Sequence, residues 1–265
     1  MKKKYVILLT ACVNPDGMPF TVLNDASERL RQYRKALEFY LTESSYPIVF
    51  CENTLCDFSN DYKNYINKGR LEFITFDGNK FDKTKGKGYG EAIIMEEAFR
   101  RSKLIAENNF IVKITGRLLV RNISQLIKDN TQMPTPTIQT FSPNNNMIDS
   151  RFTVCPKSFY INDFLSRKEQ INDTKGKYFE HVLHDTLLSR RSFVYIPFLR
   201  VPLIEGVSGS SGKEYNPSAG SYDNLRFAFD MLGNAIRIDK SNHYYHMSLL
   251  YKLFIIMIRC ILKLS

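Results

Sequence analysis

The chain has 265 residues, of which 43% are hydrophobic and 24% charged, and this composition excludes a mostly disordered protein. Lysine and arginine number 37 against 27 aspartates and glutamates, and the net charge of +10 favours an anionic partner such as a phosphorylated ligand, a nucleic acid or an acidic membrane. The five cysteines include no Cys-x-x-Cys pair, which argues against a disulfide framework or zinc knuckle and favours a reducing compartment.

The first part of the chain alternates apolar runs with amphipathic segments. The apolar runs predict buried strands at Tyr5–Val13, Pro47–Asn53, Leu71–Asp77 and Phe110–Ile114. One helix is predicted to begin at Asp25, which forms a capping-box pattern with Glu28, and a second covers about Gly90 to Ile105. This alternation predicts an α/β fold with a Rossmann-type, mostly parallel sheet flanked by helices.

The pattern changes after Gln132. The elements predicted there are short strands at Thr137–Phe141 and Arg151–Cys155, helices at Ser158–Ser166 and Tyr178–Arg190, an apolar strand at Phe193–Ile204, and a mobile Gly/Ser-rich loop at 206–221. We therefore expect a single domain over 1–245, with a nucleotide half at about 1–125 and an acceptor half at 126–245. A separate C-terminal segment covers 246–265.

The segment Met247–Leu264 is apolar apart from a serine and three cations. Lys252, Arg259 and Lys263 fall on one stripe of a helix, because their spacing brings them to nearly the same angle around the helix axis. This pattern predicts an amphipathic helix lying on an anionic membrane surface. The alternative is a helix packed on the domain or on a second subunit.

Three parts of the chain carry candidate binding chemistry. The stretch 83–91 holds Gly86, Gly88 and Gly90 at a helix entry, with Lys85 and Lys87 on either side of the first glycine, and it would suit a pyrophosphate unless it is only a solvated connection. Lys113, Thr115 and Arg117 alternate at the end of a strand, where they either clamp phosphate or pair with carboxylates. Ser208, Ser210, Ser211 and Lys213 either close over a phosphate or sugar or belong to a flexible surface loop.

The helix Tyr178–Arg190 carries two acid and imidazole pairs. Glu180 with His184, and His181 with Asp185, are each four residues apart, so each acid can touch a ring. Such pairs can supply a general base, form part of a metal cluster, or lie on a hydrated face.

The order of several motifs resembles that of bacterial capsule and O-antigen glycosyltransferases of GT-A-like type. The motifs are YVILLTACVNP, RLRQYRKALEFYL, PIVFCEN, FDGNKFDKTKGKGYGEA and FIVKITGRLLVRN, and they extend over about residues 4–125. The resemblance implies transfer of a sugar from a nucleotide-sugar to a polyprenyl-diphosphate-linked glycan by an enzyme held peripherally on the cytoplasmic face of the bacterial plasma membrane. A nucleotidyltransferase is the alternative, and a nucleic-acid-binding protein is disfavoured because no recognition motif or arginine-rich arm is present.

The resemblance also assigns residues to roles. Thr10, Asn14, Glu52 and Asn53 are expected near the nucleotide, and Lys87, Gly88, Tyr89, Gly90 and Glu91 near the donor phosphate and sugar. Thr115, Gly116 and Arg117, with Lys113 beside them, occupy the place of the usual Asp-x-Asp metal motif, which this chain lacks. No metal cofactor is therefore expected, although Mg²⁺ or Mn²⁺ stays open, and lysine and arginine would neutralise the diphosphate. As general base we expect Glu180, followed by Asp185 and Asp149.

Overall fold

The computed structural model describes residues 2–134, 136–141, 146–189, 192–217, 220, 223–228, 230–231 and 257. Its strands are β1 (Tyr5–Ala11), β2 (Ile48–Glu52), β3 (Leu71–Thr75), β4 (Phe110–Thr115), β5 (Leu119–Val120), β6 (Thr137–Ile138), β7 (Phe152–Pro156), β8 (Val194–Tyr195), β9 (Ile204–Val207) and β10 (Glu214–Tyr215). Its helices are α1 (Ala26–Glu43), α2 (Lys63–Asn67), α3 (Gly86–Arg101), α4 (Lys103–Glu107), α5 (Ile123–Thr131), α6 (Lys157–Phe159) and α7 (Phe179–Ser189). A π-helical turn (Tyr160–Phe164) and a short 3₁₀ helix (Leu165–Gln170) continue α6.

A five-stranded sheet in the order β3-β2-β1-β4-β7 forms the centre of the fold. The first four strands are parallel and β7 is antiparallel to β4, so the predicted α/β fold with a mostly parallel sheet is confirmed. Thr10 pairs with Thr115, and Ala11 pairs with Glu52. This register brings the carboxyl ends of β1, β2 and β4 to one edge of the sheet, where α/β folds bind ligands.

Alternating side chains of β1 build the two halves of the core. Ile7 and Leu9 pack with Tyr33 and Tyr40 of α1, while Val6 and Leu8 lie in the cluster that includes α3 and α7. The sheet is therefore covered on both faces, which explains why its central strands are uninterrupted apolar runs.

Two predicted elements differ from those in the structure. The helix expected from Gly90 begins at Gly86, whose φ of +82° turns the chain into α3. The strand expected over Phe193–Ile204 is divided into β8 and β9, because Pro197 and Pro202 offer no backbone N–H to a ladder. By contrast, the cap expected at Asp25 is confirmed, since its carboxylate accepts the Glu28 N–H across 2.7 Å.

The Gly/Ser-rich segment begins as a hydrogen-bonded turn between β9 and β10. The N–H of Ser208 donates to the Lys213 carbonyl across 2.8 Å, and the N–H of Gly212 donates to the Ser208 carbonyl across 2.9 Å. The predicted helix at Met247–Leu264 lies outside the described residues, apart from the single position 257. None of the helices in the described ranges combines the length and the hydropathy needed to cross a bilayer.

Candidate active site

A cleft of about 510 Å³ opens at the carboxyl edge of the sheet. Segments from both halves of the chain line it: the ends of β1, β2 and β4, the first turns of α1, α3 and α7, the residues before β7, and the turn after β9. The lining side chains that carry hydrogen-bonding or charged groups include Thr10, Arg29, Tyr33, Asn53, Asn79, Lys87, Glu91, Thr115, Arg117, Asp149, Ser150, Arg151, Asp173, Tyr178, Glu180, Ser208, Ser210 and Tyr215.

Three of the lining cations, Arg29, Lys87 and Arg117, have no carboxylate partner among the described residues. Arg29 is buried and donates to the carbonyl oxygens of Cys12 and Leu23, which satisfy its hydrogen bonds without neutralising its charge. These three cations, set against the carboxylates Asp173 and Glu180, which also form no ion pair in the described ranges, give the cleft positive groups that an anionic ligand can contact directly.

Arg117 and Lys87 contact the same turn after β9. The Arg117 guanidinium donates to the Val207 carbonyl and lies against Gly209, where a β-carbon would be 2.5 Å from its Nη2. The Lys87 amine donates to the Ser210 hydroxyl and, across 3.3 Å, to the Phe20 carbonyl. The two cations thus approach the cleft from different elements and meet beneath one loop.

An ion pair forms the floor of the cleft. Lys113, only 1% exposed, places its amine 2.5 Å from Glu91 of α3, and it also donates to the Ser150 carbonyl. The Thr10 hydroxyl donates to the same Glu91 carboxylate across 2.9 Å. Lys113 is therefore fully engaged below the cleft and, unlike Arg117, does not line it.

The first turn of α3 is already occupied by a carboxylate. Asp173, 3% exposed, accepts the Gly88 N–H across 3.1 Å. A β-carbon at Gly86 would lie 2.4 Å from the Asp173 side chain, and one at Gly88 would lie 3.0 Å from its Oδ1. The glycines thus make room for Asp173, whose carboxylate takes up the Gly88 amide, one of those that the sequence analysis offered to a pyrophosphate.

Glu180, at the start of α7, accepts a hydrogen bond from the Ser150 hydroxyl across 2.5 Å. Burial raises the pKa of the Glu180 carboxyl, and the hydrogen bond from Ser150 opposes this shift only in part. A carboxylate of raised pKa at a cleft wall accepts a proton more readily than an ordinary glutamate, which suits it to act as a general base.

Asp149 lies beside Glu180 but is neutralised. The Arg151 guanidinium pairs with both Asp149 oxygens, and the same guanidinium lies 4.5 Å from the centroid of the Tyr215 ring. Asp149 therefore positions Arg151. Glu180, by contrast, has no ion-pair partner among the described residues and is the acid of the two that is free to accept a proton.

At the opposite end of the cleft, two amide oxygens lack partners. The side-chain oxygens of Asn53, after β2, and Asn79, after β3, are buried without a hydrogen bond among the described residues. A buried oxygen without a hydrogen bond costs free energy, and a ligand that donates an N–H or O–H group to it would offset that cost.

The structure brings together about half of the site residues expected from the sequence. Those lining the cleft are Thr10, Asn53, Lys87, Gly88, Gly90, Glu91, Thr115, Arg117, Asp149, Glu180, Ser208 and Ser210. Those expected at the site but absent from its lining are Asn14, Glu52, Tyr89, Lys113, Gly116, His181, His184, Asp185, Ser211 and Lys213.

Several of these absences have a clear structural reason. Glu52 is fully buried, and its carboxylate is taken up by the N–H groups of Val13, Thr54 and Cys56, which hold the turn after β2. Gly116 packs so closely that a β-carbon would lie 2.7 Å from the Thr10 carbonyl oxygen. The Tyr89 hydroxyl donates to Glu169.

On α7, neither Glu180 nor Asp185 has its expected histidine as its main partner. Glu180 bonds with Ser150, and Asp185 pairs with Lys177. His184 is buried, and its Nδ1 lies 3.6 Å from an Asp185 oxygen instead of contacting Glu180. Among the residues that the structure describes, no three carboxylate, imidazole or thiol side chains come together to hold a metal ion.

No family model and no curated protein matches this chain. Among solved structures, a protein described as a nucleotide-diphospho-sugar transferase from Desulfovibrio desulfuricans is 11% identical, with a TM-score of 0.43 over 74% of this chain and 80% of its own. A glycosyltransferase involved in glycosylation of the major capsid of PBCV-1 is 10% identical, with a TM-score of 0.42 over 75% and 84%. TarS of S. aureus, solved with UDP, is 9% identical, with a TM-score of 0.39 over 94% and 68%. Cytidylyltransferases are also among the similar structures.

Three important cleft residues were not expected from the sequence. Arg29 lies one helical turn before Tyr33, and a cation on the apolar stripe of α1 was a signal that could have found it. Asp173 and Ser150 gave no such signal, because short connections place them and their partners are far away in the sequence.

Proposed function

We propose that this protein is a glycosyltransferase that moves a sugar from a nucleoside-diphosphate donor to a glycan acceptor. The observation that carries this proposal is the presence, within one cleft, of three cations that form no ion pair in the described part of the chain and a half-buried carboxylate, Glu180, whose pKa is raised. A leaving diphosphate needs the positive charge, and an attacking hydroxyl needs the base.

The ends of the cleft suggest how the donor lies in it. The unpartnered amide oxygens of Asn53 and Asn79 would accept hydrogen bonds from the nucleoside. Arg29, Lys87 and Arg117 would then surround the diphosphate, and the sugar would point towards Glu180. This order follows the sheet, because β2 and β3 lie at one side and β7 at the other.

In an inverting transfer, the Glu180 carboxylate takes the proton of an acceptor hydroxyl, whose oxygen forms a bond to the anomeric carbon of the sugar. The bond from that carbon to the diphosphate oxygen breaks, and the nucleoside diphosphate leaves with the bonding electrons. Arg117 and Lys87 stabilise the negative charge that develops on the leaving oxygen.

A panel of UDP-, GDP-, CDP- and dTDP-sugars, with the nucleoside triphosphates alongside, tests the proposal by thermal shift, with and without Mn²⁺. Selective stabilisation by one donor, followed by release of its nucleoside diphosphate in the presence of a glycan, supports a glycosyltransferase. Stabilisation only by nucleoside triphosphates, with pyrophosphate as product, would instead establish a nucleotidyltransferase.

We extend the proposal to a lipid-linked acceptor, such as a polyprenyl-diphosphate glycan of a capsule or O-antigen, used at the cytoplasmic membrane surface of a bacterium. The support is the cationic stripe of the segment Met247–Leu264. Each such cation near an anionic surface contributes about 1 kcal/mol, and the apolar remainder adds to it. Truncation after His246 should release the protein from anionic liposomes while sparing transfer to a water-soluble acceptor. Full-length protein that ignores liposomes would contradict this extension.

A further inference from the structure

Tyr178 presents an aromatic ring at the opening of the cleft. Its side chain lines the cleft and the residue is 36% exposed, although it lies only two positions before Glu180. The ring stacks on the His181 imidazole, with centroids 5.3 Å apart and planes inclined by 20°. The Tyr178 N–H also donates to His181 Nδ1 across 3.2 Å. The ring is therefore both exposed and held in place from behind.

The state of His181 is consistent with this arrangement. Burial and the nearby Lys177 lower the pKa of His181 below its ordinary value. A neutral imidazole keeps Nδ1 free to accept the Tyr178 N–H, whereas an imidazolium would have no acceptor there. His181 thus supports the ring without itself lining the cleft.

Tyr178 belongs to the Glu180 side of the cleft, and the proposed nucleoside end is formed by Asn53 and Asn79. Glu180 joins α7 to Ser150, just before β7, while the unpartnered amides of Asn53 and Asn79 follow β2 and β3. The sheet order puts β7 at the edge opposite β3, and Tyr178, two residues before Glu180, lines the same cleft, so an acceptor bound beside Glu180 would have the Tyr178 ring close by.

We propose that Tyr178, backed by His181, is a stacking platform for the ring of the acceptor sugar. This inference rests on the proposed function. A sugar ring has an apolar face of C–H groups that packs on a flat aromatic surface, and its rim of hydroxyls can then reach the Glu180 carboxylate. The phenol oxygen has no part in such packing, so the ring alone defines the platform.

The test uses the full chain and the variants Tyr178→Phe, Tyr178→Ala and His181→Ala. Calorimetry with UDP, GDP, CDP and dTDP measures nucleotide binding. Saturation-transfer NMR with methyl glycosides of glucose, galactose, mannose, rhamnose and N-acetylglucosamine, at saturating nucleotide, measures acceptor binding. Tyr46→Ala is the control, because Tyr46 precedes the amino end of β2 and packs edge-on against Tyr5, away from the cleft.

We expect Tyr178→Ala to weaken glycoside binding about tenfold, as loss of a stacking contact does, while Tyr178→Phe stays within about twofold of the wild type. His181→Ala should fall between them, and nucleotide affinity should not change in any variant. Equal losses of glycoside and nucleotide affinity in Tyr178→Ala would assign the ring to the donor and overturn the platform. A wild type that binds a nucleotide but no glycoside, or a Tyr178→Ala variant that binds glycosides normally, would also overturn it and leave the glycosyltransferase proposal standing. Failure to bind any nucleoside diphosphate would instead contradict the proposed function.

Discussion

Lys113 of β4 and Glu91 of α3 form an ion pair of 2.5 Å beneath the cleft, where the lysine side chain is 1% exposed. The pair joins the sheet to the helix whose first turn lines the cleft. A buried charge without its partner is costly, so the integrity of the cleft floor depends on both residues.

Glu91→Gln should destabilise the fold by about 3–5 kcal/mol, because it leaves the buried Lys113 ammonium without its carboxylate. The double variant Lys113→Met with Glu91→Gln should recover much of that loss, since no unpaired charge remains. Urea denaturation measures both variants. The exposed pair of Arg31 and Glu28 gives the control, and Arg31→Met should cost less than about 1 kcal/mol. Equal costs for the two single substitutions would contradict the importance of the buried pair.

Arg117→Ala should reduce kcat by a factor equivalent to about 2–4 kcal/mol, as removal of other transition-state donors does. Arg117→Lys should recover only part of the rate, because an ammonium cannot bind two phosphate oxygens side by side. Arg121, which pairs with Glu205 and does not line the cleft, supplies the control Arg121→Ala. Normal turnover by folded Arg117→Ala protein would remove Arg117 from the proposed phosphate site.

Glu180→Gln should lower kcat by about 10²–10⁴-fold, the usual contribution of a general base. In the wild type, the acid limb of the pH–kcat profile should lie above the ordinary glutamate pKa of about 4.3, because burial raises the pKa of Glu180. Ser150→Ala removes a hydrogen bond to the charged form and should shift that limb to still higher pH. An unchanged profile in Ser150→Ala would show that another group is titrating.

The raised pKa of Glu180 also implies that the stability of the fold depends on pH. The favourable contribution of protonated Glu180 is fully present below the unfolded pKa of about 4.3 and is lost as pH rises through the higher folded pKa. Glu180→Gln should therefore have a higher Tm than the wild type near neutral pH, and the difference should disappear in acid. Calorimetric scans across this range would reveal it, and a variant less stable than the wild type at neutral pH would count against the predicted sign.

Turnover should persist in EDTA. The chain contains no Asp-x-Asp pair, and Arg29, Lys87 and Arg117 already bring positive charge to the cleft. Initial rates are compared before and after dialysis against chelator, and then after addition of Mn²⁺. Complete loss of activity that Mn²⁺ restores would show that a metal ion takes part.

The sequence by itself determined the layers of this protein. Uninterrupted apolar runs such as Tyr5–Ala11 could only be buried strands covered on both faces, and the alternation with helices required a parallel sheet whose carboxyl ends meet. That reasoning was enough to bring Thr10, Asn53 and Arg117 to one edge. It also selected Glu180, which lines the same cleft, although the reason was a helix pairing with His184 that the structure does not contain.

Only the tertiary structure decided which polar groups face the cleft and which are held beneath it. Local periodicity cannot show that Lys113 pairs with Glu91, that Asp173 occupies the amide of Gly88, or that Ser150 reaches Glu180, because these contacts join segments 22 to 85 residues apart. Each depends on how helices and loops close over the sheet. These pairings set the charge of the cleft. A cation that pairs with a carboxylate inside the protein is neutralised, whereas a cation such as Arg117, which donates only to a carbonyl group, keeps its charge available to a ligand.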